Sequence, residues 1–84
     1  MKKPPYKIET VYRVRIDFDA QDWASVSDGL LKIGKKLDDC EVFPGGPCYF
    51  PYVTAEHRSK AAIVRYVEKA VRYIRRRKDG RINP

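Results

Sequence analysis

The sequence predicts a small two-layer α+β domain with the element order β-α-β-β-α, in which two helices cover one face of a three-stranded antiparallel sheet. Three observations predict this class: one segment of strictly alternating apolar and charged residues, two amphipathic segments of helical period, and a Pro-Gly-Gly-Pro turn between two β-prone segments. A chain of 84 residues has the length of a single domain. We expect this domain to span residues 8–80, after a flexible basic arm at 1–7 and before a tail at 81–84.

The first element is a strand in which apolar and charged side chains alternate, as in a sheet with one buried face. Its apolar positions are Tyr12, Val14, Ile16 and Phe18. Arg13 and Arg15 lie between them, so their side chains point away from the helices onto the open face of the sheet. Both arginines are therefore candidate binding residues.

The second element is an amphipathic helix over about residues 20–38. Its apolar stripe falls within a wedge of about 80° and consists of Trp23, Val26, Leu30, Ile33 and Leu37. Asp19 or Asp22 is suited to cap the first turn. Gly34 lies within the stripe, where a missing side chain allows close approach to the sheet. Gly29 lies outside the stripe and is expected to weaken the helix by up to ~1 kcal/mol relative to alanine.

The next two elements are short strands that form a hairpin around the turn at residues 44–47. Pro51 lacks an amide hydrogen, so we expect the second of these strands to lie at a sheet edge or to bend there. Cys40 and Cys48 lie on opposite flanks of the turn. Two cysteines are too few for a disulfide framework, and we expect reduced thiols in a cytoplasmic protein.

The last element is a second amphipathic helix over about residues 56–78. Its apolar stripe consists of Ile63, Val67, Ala70 and Ile74, and Gly80 is a natural C-terminal stop. Tyr66 and Tyr73 border this stripe next to the charged side of the helix. Aromatic rings beside a basic surface can stack on unpaired bases, so both tyrosines are candidate binding residues.

Positive charge is concentrated at the C-terminal end of the chain. The net charge is +7, yet residues 1–56 contain 8 Lys+Arg and 9 Asp+Glu, whereas residues 57–84 contain 10 and 2. On a helical wheel, five cations of the second helix share a wedge of about 60° opposite the apolar stripe: Arg58, Arg65, Lys69, Arg72 and Arg76. Arg75 lies beside them, and Arg77 and Lys78 follow at an end of the helix that a partner can reach.

This distribution predicts a nucleic-acid-binding domain. Several arginines on one rigid helix can meet successive phosphates, and the guanidinium fork suits phosphate oxygens. No set of side chains suited to base edges is identifiable, so we expect little sequence specificity. The alternative is a protein-interaction module, such as a small phage or mobile-element inhibitor that docks on an acidic surface of a host nucleoprotein or nuclease. A homodimer through the open sheet face or an edge strand is a further partner that this architecture allows.

Enzymatic activity is not expected. His57 is the only histidine, no serine or cysteine lies at a motif-defining distance from it, and no glycine-rich phosphate loop is present. We expect Asp17, Asp19 and Asp22 to serve as strand-end and capping residues rather than metal ligands, and we expect no cofactor. No run of ~20 apolar residues predicts a membrane span, and no export signal is apparent, which favours a cytoplasmic location.

No family resemblance follows from these patterns. The RNA-recognition motif requires a fourth strand after its second helix and aromatic stacking residues on its first strand, where this chain has Arg13 and Arg15. The double-stranded-RNA-binding domain also ends in a basic helix but begins with a helix, whereas this chain begins with a strand.

Overall fold

The part of the chain that the structure describes forms six elements in the order β-α-β-β-α-β. The computed structural model describes residues 5–6, 9–37, 40–47 and 50–82. Within them lie β1 (Tyr12–Asp19), α1 (Trp23–Lys36), β2 (Glu41–Gly45), β3 (Tyr52–His57), α2 (Lys60–Arg76) and β4 (Arg81–Ile82). The predicted α+β class is confirmed.

The sheet has four strands, not three, in the spatial order β2-β3-β1-β4, and every pair is antiparallel. The additional strand β4 lies within the residues predicted as a tail and pairs with Phe18 and Asp19. It forms because Gly80 turns the chain back after α2, with its amide donating to the Arg77 carbonyl at 3.3 Å, and because Ile82 packs against the core. This order, with β1 and β3 in the centre, is the ferredoxin-like arrangement.

Strands β2 and β3 form the predicted hairpin, but the turn predicted at residues 44–47 is partly wrong, because Pro44 and Gly45 belong to β2 and lie opposite Val53 and Tyr52. Gly46 has a φ of 81°, a left-handed conformation that favours glycine, and it begins the connection between the two strands. The expectation that the second hairpin strand lies at an edge is wrong, because β3 is paired on both sides. Pro51 lies just before β3, where its carbonyl accepts the Phe18 amide at 3.3 Å and no ladder amide is required of it. Cys48 lies outside the described residues.

Helix α1 begins after Asp22, whose side chain accepts the Ser25 amide at 3.3 Å. A side chain at Gly34 would overlap Val42, which confirms that this glycine permits close approach to the sheet. Gly29 has a similar role that the sequence did not predict, because the tip of the Tyr73 ring packs over it. Trp23, expected in the apolar stripe, is 41% exposed because it occupies the first turn, beyond the edge of the core.

Helix α2 begins at Lys60 rather than near residue 56, because the preceding residues continue β3 as far as His57, opposite Tyr12. Ser59 caps it by accepting the Ala62 amide at 3.4 Å. The helix ends at Arg76, two residues before the predicted end at 78.

Both helices pack on one face of the sheet. The core contains Ile16, Phe18, Val26, Leu30, Val53, Ala55, Tyr66, Ala70 and Ile74, drawn from β1, β3 and both helices. The alternate positions of β1 and β3 lie on the opposite, open face, as the alternation in β1 predicted. Within the described part of the chain, no helix has the length and apolar character needed to cross a membrane.

Candidate functional site

The outer surface of α2 carries a row of exposed cations: Arg65, Lys69, Arg72 and Arg76, which we call the cationic ridge. Their spacings of four, three and four residues place them along one side of the helix. At 1.5 Å per residue, the ridge extends over about 16 Å of the helix axis. Arg75 is also exposed and lies beside it. The structure therefore presents these predicted site residues together on one rigid element.

Most of the ridge has no carboxylate partner. Within the part of the chain that the structure describes, Lys69, Arg72 and Arg76 take part in no ion pair, and neither does the adjacent Arg75. Helix α2 contains a single acidic residue, Glu68, among its 17 residues. The charges of Lys69, Arg72, Arg75 and Arg76 are thus available to an external anion.

Helix α1 extends this basic surface. Its last two turns expose Lys32, Lys35 and Lys36, of which Lys32 pairs with Asp28 at 3.1 Å. A shallow groove of about 340 Å³ runs between the two helices, and Lys32, Lys36 and the half-buried Tyr73 line it. We call the exposed sides of α1 and α2, including the cationic ridge, the helical face.

Tyr66 does not belong to this face, which corrects its prediction as a stacking residue. Its side chain is fully buried, and its hydroxyl donates to the Leu30 carbonyl at 3.3 Å. Burial raises the pKa of the Tyr66 phenol far above its ordinary value, and the nearby Cys40 thiol adds to the shift. Tyr66 is therefore a neutral hydrogen-bond donor between α2 and α1, because the side of α2 that it occupies faces the other helix rather than solvent.

Arg13 and Arg15 lie on the open sheet face as predicted, but both have acidic neighbours. The Arg13 Nε lies 2.5 Å from an oxygen of Glu56, which is directly opposite on β3. The Arg15 Nη2 lies 2.9 Å from Asp17, and its guanidinium stacks 3.9 Å from the centre of the Tyr52 ring. These two arginines are separated from the ridge by the whole thickness of the domain and are locally neutralised.

The sequence argued against the RNA-recognition motif for two reasons: no fourth strand was expected after the second helix, and the first strand lacks outward aromatic residues. The presence of β4 removes the first reason. The other ground remains, because the outward positions of β1 hold Arg13 and Arg15, paired with carboxylates, rather than aromatic rings.

Arg58, expected on the ridge, lies instead in the connection between β3 and α2. It pairs with Glu9, and it precedes the helix because β3 is longer than the sequence indicated. In the same connection, His57 Nδ1 accepts the Ser59 amide at 2.8 Å. Arg58 therefore contributes to the join between the chain start and α2 rather than to the cationic ridge.

Arg77, predicted as a binding residue, does not belong to the candidate surface, because its side chain lies between two carboxylates beyond the end of α2. Its Nη2 lies 3.8 Å from Asp22, and its Nε lies 3.6 Å from Asp79. Asp79 in turn accepts the Asp22 amide at 3.1 Å, and this hydrogen bond, with help from the Arg77 charge, lowers the pKa of the Asp79 carboxyl. The cluster joins the start of α1 to the end of α2. Lys78, the next residue, is exposed.

Among the residues described, no three His, Cys, Asp or Glu side chains are grouped closely enough to hold a metal ion. Asp17, one of the carboxylates considered from the sequence, instead pairs with Arg15.

Comparisons with known proteins identify a similar fold but do not indicate a function. No protein-family model and no curated protein matches this chain. Among solved structures, the chain is similar to the de novo designed protein Ferredog-Diesel, with a TM-score of 0.61 and 15% sequence identity over 100% of this chain and 94% of that chain. A likeness at this identity shows the shared architecture alone. Because one fold serves many functions, the functional argument rests on the surfaces described above.

Proposed function

We propose that this protein is a small nucleic-acid-binding domain whose cationic ridge contacts the phosphate backbone. The observation that carries the proposal is the row of exposed cations on α2, where Lys69, Arg72 and Arg76 make no ion pair with any described residue. Such cations bind phosphates with little competition from the protein itself. Each neutralised phosphate releases counterions from the nucleic acid, which favours binding at low salt.

The geometry of the ridge suits a regular polyanion. Successive ridge residues rise about 4.5–6 Å along the helix axis, and a helix holds them in a fixed row before any ligand arrives. Lys32 and Lys36 lie across the groove from α2 and widen the basic surface to both helices. Phosphate contacts of this kind position a protein without reading bases, so binding is expected to be similar for unrelated sequences.

The salt dependence of binding tests the proposal. A fluorescein-labelled DNA duplex and the matching RNA duplex are titrated with the protein at about 50 and about 200 mM salt. If the four ridge cations neutralise four phosphates, log K falls with log[salt] at a slope of about −3.6, and affinity drops about 100-fold between the two conditions. Absence of binding to either duplex at the lower salt would sink the proposal.

Paired variants locate the binding surface. Lys69→Gln with Arg72→Gln removes two ridge charges and is expected to reduce the salt slope by about 1.8. Arg13→Gln with Arg15→Gln removes two charges from the open sheet face and should leave the slope unchanged. A ridge variant with the slope and affinity of the unaltered protein would show that another surface binds.

The protein-interaction alternative makes a different prediction in the same system. Docking on an acidic protein surface would use the ridge but would give no binding to either duplex. A pull-down from cytoplasmic extract after nuclease treatment would then retain one stoichiometric protein, and the ridge variant would lose it. Under our proposal, nuclease treatment releases the captured material.

A further inference from the structure

The side of α2 that faces away from α1 is incompletely covered along the N-terminal half of the helix. An apolar groove of about 380 Å³ lies there, between α2 and β1. Its apolar lining consists of Tyr12, Val14, Ile63, Val64 and Val67. Tyr12 and Val64 are each 46% exposed. A partner that covers this groove therefore removes apolar surface from water, which favours association.

Three residues of α2 border the groove at intervals of one helical turn: Lys60, Val64 and Glu68, which we call the lateral row. All three are exposed. Neither Lys60 nor Glu68 makes an ion pair with any described residue, and Glu68 is the only acidic residue of α2. The lateral row therefore has an apolar centre, with opposite charges about 6 Å along the helix axis on either side of it.

This arrangement of charges is complementary to itself. If α2 of a second copy lies antiparallel to α2 with Val64 opposite Val64, then Lys60 of each copy faces Glu68 of the other. In a parallel pair, by contrast, each charge faces its own kind. A two-fold symmetric dimer requires a surface that matches itself. The lateral row meets this requirement with one apolar contact and two ion pairs.

We propose that two copies of this chain form a dimer by antiparallel packing of α2 against α2, centred on Val64. The Val64 side chain of each copy covers the groove of the other, beside Val67 and Tyr12. The two pairs between Lys60 and Glu68 flank this central contact. The interface uses one side of a helix, and neither the open sheet face nor a strand edge. It does not depend on the proposed nucleic-acid binding.

The dimer leaves the cationic ridge of each copy uncovered. On the helical wheel the ridge lies about 110° from the lateral row, so it does not face the partner helix. A two-fold axis between antiparallel helices keeps both ridges on the same side of the dimer. Each chain carries a net charge of +7. At about 0.15 M salt, however, exposed charges more than ~8 Å apart are largely screened, whereas the close contacts of Lys60 with Glu68 keep their attraction.

The concentration dependence of the mass is the first test. Sedimentation equilibrium of the intact protein at about 0.15 M salt is measured from roughly 10 µM to 1 mM, where small interfaces associate. We expect monomers at the lowest concentration and mainly dimers at the highest. A chain that stays monomeric over the whole range would overturn the proposal, and would leave the groove to a different partner.

Exchange of the two charges tests the antiparallel register. Glu68→Lys gives the lateral row two lysines, and Lys60→Glu gives it two glutamates. Each variant alone is expected to dimerise about tenfold or more weakly than the unaltered protein, because both ion pairs become like-charge contacts. An equimolar mixture should form a heterodimer with close to the original affinity, since each lysine then faces a glutamate. Recovery in the mixture also requires that both variants are folded. A mixture of two folded variants that shows no recovery would refute the register.

The matched control lies on the same helix. Lys69→Glu makes the same charge change as Lys60→Glu, but on the cationic ridge, and should alter the dimer dissociation constant by less than about threefold. Val64→Asn removes the apolar centre and is expected to weaken dimerisation about tenfold or more. If Lys69→Glu disrupts the dimer and Lys60→Glu does not, the copies associate through another surface and the proposal is wrong.

Nuclear magnetic resonance spectra recorded at low and high protein concentration locate the interface directly. The amide and methyl signals of Val64 and Val67 are expected to shift as the dimer forms. The amide signals of Lys69 and Arg72 are the internal control and should shift little. Concentration-dependent shifts confined to the open sheet face or to β2 would contradict packing through α2.

Discussion

The cationic ridge and the open sheet face both display exposed arginines, but the two regions differ in whether carboxylates pair with these arginines. On the sheet, Arg13 and Arg15 each lie within ion-pair distance of a carboxylate, Glu56 and Asp17. On the ridge, Lys69 and Arg72 make no ion pair with any described residue. A surface that neutralises its own charges differs from one that leaves them for a partner, and a count of arginines cannot distinguish the two.

The local geometry of each element explains the difference. Strand register places Glu56 directly across from Arg13, so the sheet brings opposite charges together from distant parts of the chain. On α2, the residues one turn apart along the ridge are all cations, and like charges at this spacing destabilise a helix by about 0.2–0.5 kcal/mol per pair. The ridge therefore lowers the free energy of unfolding slightly, and a bound anionic ligand would offset this loss.

Charge reversal on each surface should separate the two most strongly. Lys69→Glu with Arg72→Glu is expected to reduce affinity for a DNA or RNA duplex by about 100-fold, since each lost contact with a charged group is worth about 1.5 kcal/mol. Because this change relieves like-charge contacts on α2, the free energy of unfolding should not fall. Fluorescence titration and urea denaturation measure the two effects.

The matched control is Arg13→Glu with Arg15→Glu on the open sheet face. It should change affinity by less than about threefold, since only long-range charge is altered there. A comparable loss of affinity for both variants would mean that the two surfaces do not differ in the way we describe.

Two glycines allow α1 to pack closely against its neighbours, and substitution of each by alanine should change the stability of the protein by a different amount. At Gly34 the added Cβ meets Val42 and the Cys40 carbonyl, so we expect a loss of about 1–2 kcal/mol even after the gain in helix propensity. At Gly29 it meets only the tip of the Tyr73 ring, which can move, so Gly29→Ala should be close to neutral. Thermal unfolding of the two variants, compared directly, checks this; equal destabilisation would contradict it.

Tyr66→Phe tests the assignment of this tyrosine to the interior rather than to the helical face. The variant loses the hydrogen bond to the Leu30 carbonyl, and we expect the free energy of unfolding to fall by about 1 kcal/mol. For a domain of this size that corresponds to roughly 4–8 °C in melting temperature. Affinity for a duplex should be unchanged. A loss of affinity without a loss of stability would show that Tyr66 contacts the nucleic acid and would contradict its assignment to the interior.

The smallest effect is expected at the Asp22–Arg77–Asp79 corner. The pKa of Asp79 is lowered in the folded state, first by the hydrogen bond from the Asp22 amide, so its contribution to stability is present near neutral pH. That contribution declines as the pH falls below about 4 and the carboxylate becomes protonated. The stability difference between the unaltered protein and Asp79→Asn should therefore narrow on acidification. Melting curves from about pH 2 to 7 measure it, and a difference that stays constant would contradict the prediction.

The sequence predicts the larger elements because their patterns are long enough to have a clear period. Alternation in β1 and the stripes of α1 and α2 correspond to observed elements, and the Pro-Gly-Gly-Pro segment correctly predicts a hairpin, although Pro44 and Gly45 belong to β2 rather than to the turn. Strand β4 could not be predicted in this way, because its two residues are too short for any periodicity. Its formation depends on the edge of β1 and on the core beneath it.

The site was predictable as a row of charges, but not in its boundaries. The wheel placed Arg65 and Lys69 correctly on an exposed side of α2. It could not show that Tyr66, at the border of the stripe, would be covered by α1, because burial there depends on helix packing. Nor could it show that Arg13 would meet Glu56, since that pairing depends on the register between two strands and joins residues 43 positions apart.

The central position of β1 has a consequence for how the chain folds. Its partners in β3 and β4 lie between 35 and 64 positions later in the sequence. Contacts of this separation slow folding, because a long loop must close before any pairing stabilises it. During synthesis, β1 emerges early and cannot complete its pairing with β3 until His57 has followed it. The central strand β1 is therefore synthesised first among the strands but is among the last to complete its pairing.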